Sequence, residues 1–421
     1  MNARLQSNVL EATRLTREGR LAEAMAILQG GLSGTNPPAS SSNTGEDAGQ
    51  YPLGRATRII DMVPPSSRGG AWTPPNFNPS HFVPEIPGLD GGPAQPQVPE
   101  ALRGFLNRMG QPGSALGLDG LAGPIPPRAP APLPEGARFD ERTFANPAGS
   151  RIYKLYVPSG YAGQPVPLVV MLHGCTQSPD DFAAGTRMNE LAEEQTFLVA
   201  YPAQTQSANI SRCWNWFNAA DQQRDRGEPS LIAGLTRQIM SDFSVAPGRV
   251  YVAGLSAGGA AAAIMGSAYP DLYAAVGVHS GLACGAARDM PSAFAAMRQG
   301  GAPYHSGDKQ PVPTIVFHGD RDTTVHPVNG EQVIAQSGAG AKLRTTVNHG
   351  QAPGGIGYTR TVAYDDSGQP LLEHWVLHGA GHAWSGGSPS GSYTESRGPD
   401  ASREMMRFFL EHARPSAASP V

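Results

Sequence analysis

The chain has 421 residues, a formal net charge of −4, 52 glycines and 40 prolines. That length permits one large domain or a few ordinary ones and buries a sizeable core. The charge excludes the basic footprint of a nucleic-acid binder, and no apolar run reaches the roughly 18 residues of a membrane-spanning helix.

Residues 1–33 read as a helical segment. Leu5, Val9 and Leu10 lead to Leu15, and Leu21, Met25 and Leu28 continue the spacing after Gly19. Charged residues interrupt the stretch from Arg4 to Glu23, so no signal-peptide core is present and a cytoplasmic location is expected. The segment reads as an amphipathic appendage, with docking to a granule or protein partner as the other reading. Residues 34–137 hold Pro-Pro at 37–38, 64–65, 74–75 and 126–127, with glycine and serine between. This composition predicts a largely disordered linker.

Residues 138–415 read as an α/β domain. Strands are predicted at 152–157, 168–172, 197–201, 250–253, 274–278, 314–317 and 371–377, and helices at 180–194, 229–243, 257–269, 330–337 and 402–412. Buried runs alternating with amphipathic segments imply a mostly parallel sheet with helices on both faces. Ligands of such sheets bind outside the carboxyl ends of the strands.

Reactive residues follow those ends. Gly254-Leu255-Ser256-Ala257-Gly258 stands between a predicted strand and a predicted helix. A bare G-x-S-x-G is a weak signal in a chain so rich in glycine, and the flanks carry the argument. His318-Gly319-Asp320-Arg321-Asp322 follows the strand at 314–317, and His378-Gly379-Ala380-Gly381-His382 follows the one at 371–377. The order Ser, Asp, His is that of an α/β-hydrolase. Ser256 is the expected nucleophile, His382 its base and Asp322 the acid that orients the imidazole. Asp320 is the rival acid and is expected to organise the turn; His378 is the rival base and is expected to pack at its strand.

The expected oxyanion donors are the backbone N–H groups of Ala257 and of Cys175, the latter in His173-Gly174-Cys175-Thr176-Gln177. Trp214 and Trp216, in Cys213-Trp214-Asn215-Trp216-Phe217, and Trp384 are read either as core plugs or as a substrate-binding wall. Three cysteines, Cys175, Cys213 and Cys284, are too few for a disulfide scaffold and read as buried thiols in preference to one bridge. No metal-binding pattern occurs, so neither metal nor cofactor is expected.

The motifs at His173–Gln177, Cys213–Trp216, Gly254–Gly259 and Gly381–Trp384 together resemble the polyhydroxybutyrate (PHB) depolymerase family of serine esterases, which includes feruloyl and acetylxylan esterases. The resemblance spans roughly residues 137–412. It implies an α/β-hydrolase fold, a Ser256–His382–Asp322 triad, the Cys175 amide as oxyanion donor and an ester substrate. It implies hydroxyalkanoate esters or oligomers, with feruloyl or acetylxylan esters as the alternative; because the same triad cleaves amides, a peptide substrate is a lesser reading. Some members pair the cysteines matching Cys175 and Cys213, and many are extracellular.

Overall fold

The computed structural model describes residues 132–301 and 312–414. The helical segment expected at 1–33, and the linker as far as residue 131, lie outside the described residues.

The sheet begins with two antiparallel strands, β1 (Arg138–Asn146) and β2 (Gly149–Val157). It continues with β3 (Val166–Leu172), β4 (Leu198–Pro202), β5 (Val245–Leu255), β6 (Ala275–His279) and β7 (Thr314–Gly319). The hairpin of β8 (Arg344–Gln351) and β9 (Gly357–Tyr364) precedes β10 (Pro370–Leu377). The ten strands lie in the order β1-β2-β4-β3-β5-β6-β7-β10-β9-β8. The six from β4 to β10 run parallel. A separate parallel pair joins β11 (Trp384–Ser385) to β12 (Thr394–Glu395).

Alternation along the strands builds two cores. Leu168, Val170 and Leu172 of β3 face one apolar cluster; Val169 and Met171 face the other. The first face is covered by α3 (Gly227–Asp242), α4 (Ala257–Ala268), α5 (Met290–Gln299) and α6 (Val328–Ser337). The second is covered by α1 (Pro179–Thr186), α2 (Met188–Gln195) and α7 (Ala401–Glu411). This is the α/β-hydrolase architecture expected from the sequence. Among the described residues, no helix is long and apolar enough to cross a membrane.

The elements differ from expectation in several places, among them the unforeseen strands β9, β11 and β12. The helix expected at 180–194 is two, broken at Arg187, whose φ of 57° cannot continue a helix. Strand β1 is polar in sequence and only partly buried, and β8 is exposed almost throughout, so neither shows the apolar–polar alternation of sequence that marks a half-buried strand. Helix α5, capped by Asp289 and Ser292, was not foreseen.

Candidate active site

Strand β5 ends at Leu255 and α4 begins at Ala257, leaving Ser256 alone on the turn with φ 58° and ψ −120°. That conformation is strained for a side-chain-bearing residue. Backbone bonds hold it: Ser256 N–H donates to His279 O, and Ala260 N–H donates to Ser256 O, both at 2.9 Å. The flanking glycines are required by close approach, since a Cβ at Gly254 would strike Gly258 O and one at Gly258 would strike Leu172 O.

His382 and Asp322 arrive from the loops after β10 and β7. His382 Nδ1 lies 2.7 Å from Asp322 Oδ2. The Asp322 side chain is fully buried, and that of His382 is 10% exposed. Asp322 Oδ1 accepts the N–H groups of Thr324 and Val325, each at 2.9 Å. Burial would raise the Asp322 carboxyl, but His382 and His318 hold it well below the ordinary carboxylate range. With Nδ1 engaged by the carboxylate, the imidazole keeps Nε2 for proton transfer. Among the described residues, no hydrogen bond joins His382 to Ser256; such contacts commonly tighten when substrate binds.

Both expected oxyanion donors are beside Ser256. As the first residue of α4, Ala257 has an N–H without an intrahelical acceptor. A Cβ on Gly174 would stand 3.7 Å from Ser256 Cβ, which sets the Cys175 loop against the nucleophile. The amides on either side of Cys175 are committed: Gly174 N–H to Gln177 Oε1 at 2.9 Å, and Thr176 N–H to Ser211 O at 2.7 Å.

The rival residues pair with each other. Asp320 Oδ2 lies 3.1 Å from His378 Nδ1, and Oδ1 accepts Gly379 N–H at 2.7 Å. Asp320 thus ties its turn to the loop after β10, and His378 bonds at the end of its strand.

The cysteine expectation is corrected. Cys175 and Cys213 form a disulfide, because the 204–217 loop folds back onto the oxyanion loop and brings their Cα atoms to 4.2 Å; Cys284 is buried apart from it. Two tryptophans also depart from the substrate-binding expectation. Trp214 is fully buried, its Nε1–H donating to His173 O at 3.1 Å. Trp384 is buried against Phe182 and His279, its Nε1–H donating to Ser402 Oγ at 3.0 Å. Both indole N–H groups point at internal acceptors, so they brace the site from beneath. Trp216 does line a cavity of about 140 Å³ beside Ser256, with Phe217, Leu282, Phe294, Met297 and Val325. Ile210 and Met290 stand exposed among its lining residues. A larger hollow of about 1330 Å³ near His412 and Arg414 contains none of the site residues.

Two supports escaped sequence reasoning. Gln177 links the oxyanion loop to Asp181 and Ser392. Glu228 is buried and accepts from Asn215 N–H at 2.7 Å, from Asn215 Nδ2 at 2.8 Å and from Gln204 Nε2, with Arg151 at 3.4 Å. Burial and Asp221 push its carboxyl up to about 7. The sequence signal was only a glutamate at the start of a helix. Among the described residues, no group of three or more His, Cys, Asp or Glu side chains is placed to hold a metal.

Residues 151–344 match the family model described as Esterase PHB depolymerase. Poly(3-hydroxyalkanoate) depolymerase C of Paucimonas lemoignei is 33% identical over 249 residues, which cover 56% of this chain and 59% of that protein. A probable acetylxylan esterase A of Neosartorya fischeri is 28% identical over 213 residues, covering 46% of this chain and 56% of the other. The chain therefore spans somewhat over half the length of these curated relatives. The solved acetyl xylan esterase from Aspergillus awamori aligns at a TM-score of 0.49 and 22% identity, covering 62% of this chain and 94% of that one. The segment 151–344 is thus similar to the PHB depolymerase esterase family.

Proposed function

We propose that the protein is a carboxylic-ester hydrolase that works through an acyl-serine intermediate on Ser256. The observation that carries this reading is the buried Asp322–His382 pair, which reaches the same end of the sheet as the strained Ser256 turn. His382 takes the Ser256 hydroxyl proton as Oγ attacks the ester carbonyl, and Asp322 stabilises the resulting imidazolium. The N–H groups of Cys175 and Ala257 receive the developing oxyanion. His382 then gives its proton to the departing alcohol, and a water repeats the sequence to release the acid.

Hydroxyalkanoate esters or oligomers are the proposed substrates. The apolar cavity lined by Trp216, Leu282, Phe294 and Met297 suits an aliphatic acyl or alcohol portion, and the Paucimonas relative's name agrees. Acetylxylan-type esters are the second reading, favoured by the Neosartorya relative's name. We assign the catalytic domain to residues 138–415. The Cys175–Cys213 bridge favours an oxidising, extracellular compartment over the cytoplasm expected from the N-terminus.

Ser256→Ala is expected to lower kcat on p-nitrophenyl butyrate by about 10⁴-fold or more while the protein stays folded by circular dichroism. Unchanged turnover would reject the assignment. Hydroxybutyrate oligomers, acetylated xylan and methyl ferulate, compared by kcat/KM on one preparation, rank the substrate classes.

A further inference from the structure

We propose that His318 is a positioning residue for Asp322, holding the acid in line with His382. The inference rests on the ester-hydrolase reading above.

His318 is the penultimate residue of β7, and its side chain is 1% exposed. Its Nε2 lies 2.8 Å from Val325 O and 3.5 Å from Asp322 Oδ2. Both neighbours are acceptors, so Nε2 carries a proton and donates. Nδ1 has no hydrogen-bond partner among the described residues. Behind it stands α6: a Cβ on Gly330 would come within 2.9 Å of His318 Nδ1 and 3.2 Å of His374 Nε2. The ring is therefore wedged between a helix and the 319–325 turn, with no room for a different pose.

From that position one N–H acts twice. It pins the carbonyl of Val325, the residue whose own N–H holds Asp322 Oδ1. It also faces Oδ2, the oxygen that receives His382. Asp322 is thus steered on both oxygens, by two amides on one and two imidazoles on the other. His374, the next buried imidazole, is pushed down to about 4 by burial and then by His318, so it adds no positive charge near neutrality. A packing residue would need only the shape of this ring. A positioning residue needs its N–H.

The test uses the full chain with His318→Leu, which removes the donor, and His318→Gln, whose amide N–H can reach the same carbonyl. On p-nitrophenyl butyrate, the leucine variant should lose about tenfold or more in kcat with KM held within about twofold. The glutamine variant should recover most of the loss. The acid limb of kcat/KM should move upward in the leucine variant, because Oδ2 without the second N–H is a stronger partner for the His382 imidazolium. In the ligand-free protein, the low-field proton resonance of His382 Nδ1–H should shift with leucine and return with glutamine. Gly330→Ala, which pushes the ring without deleting it, should lower kcat in the same direction if the leucine variant does not fold. Equal kcat in the leucine variant, equal loss in both variants with an unmoved acid limb, or a loss confined to KM overturns the proposal. Should Ser256→Ala retain full turnover, the ester-hydrolase reading fails, and the Nδ1–H resonance still decides whether His318 positions Asp322.

Discussion

Two Asp–His pairs span the same two loops, and only one suits catalysis. Asp320–His378 and Asp322–His382 both join the turn after β7 to the loop after β10, at 3.1 and 2.7 Å. The first pair is 38% and 47% exposed at its side chains; the second is 0% and 10%. Water screens the outer pair, which is worth at most about 1 kcal/mol. The inner carboxylate, cut off from water and held by two amides and the His382 imidazole, has its direction fixed before substrate arrives. Two residues along one turn and four along the other separate a clasp from a proposed acid and base.

The largest contrast comes from removing each acid in turn. Asp322→Asn keeps the shape but favours the wrong tautomer of His382, and kcat should fall by about 10⁴-fold. Asp320→Asn should leave kcat within about twofold and cost at most about 1 kcal/mol of stability. Steady-state kinetics and thermal melts on both variants read this out. Comparable activity losses would mean that the outer pair shares the chemistry and that burial is not what distinguishes them.

The next effect concerns the wall that shelters the inner pair's end of the sheet. The Cys175–Cys213 bridge spans a separation of 38 residues. Loop-closure entropy gives it about 4 kcal/mol. Cys213→Ser should lose stability of that order in urea melts, and the released oxyanion loop should lower kcat. The Asp320–His378 clasp, which shares no contact with the bridge, should be unaffected. Thiol titration of the denatured, unreduced wild type should find one thiol, where the three-thiol reading requires three.

How far the sequence reached depended on whether local pattern or tertiary distance held the information. Ser256, Asp322 and His382 each follow a β-branched or apolar run that reads as a strand, so one rule about strand ends located all three. The pairing of His382 with Asp322 rather than Asp320 agrees with the later place of Asp322 in the turn. The polar strand β8 was not legible, since pairing with β9 satisfies its backbone without an apolar face. Nor were the roles of Trp214 and Trp216: two residues apart, one finds His173 O beneath it and the other a cavity, and composition cannot tell an internal acceptor from a void. The cysteine partners, Gln177, Glu228 and His318 depend on contacts across the fold rather than on local pattern.

The smallest expected effect lies in the histidines beneath the site. His173 Nε2 accepts Gln204 N–H and His279 Nε2 accepts Ser385 N–H, both at 3.0 Å. Protonating either nitrogen would set a donor against a donor. Burial pushes His173 down to about 4 and His279 to about 3. Both lie below the ordinary 6.5, so in mildly acidic solution the unfolded chain takes protons that the native rings refuse. Their contribution is full above about pH 6.5. It is lost as pH falls, at no more than about 1.4 kcal/mol per pH unit for each ring, until the native values are reached. Urea midpoints should therefore fall between pH 6.5 and about 4.5, and His173→Gln should flatten that slope while lowering stability at pH 7.5. An unflattened slope in His173→Gln would place the acid sensitivity outside this buried imidazole and undo the division between buried, water-free groups and solvated ones.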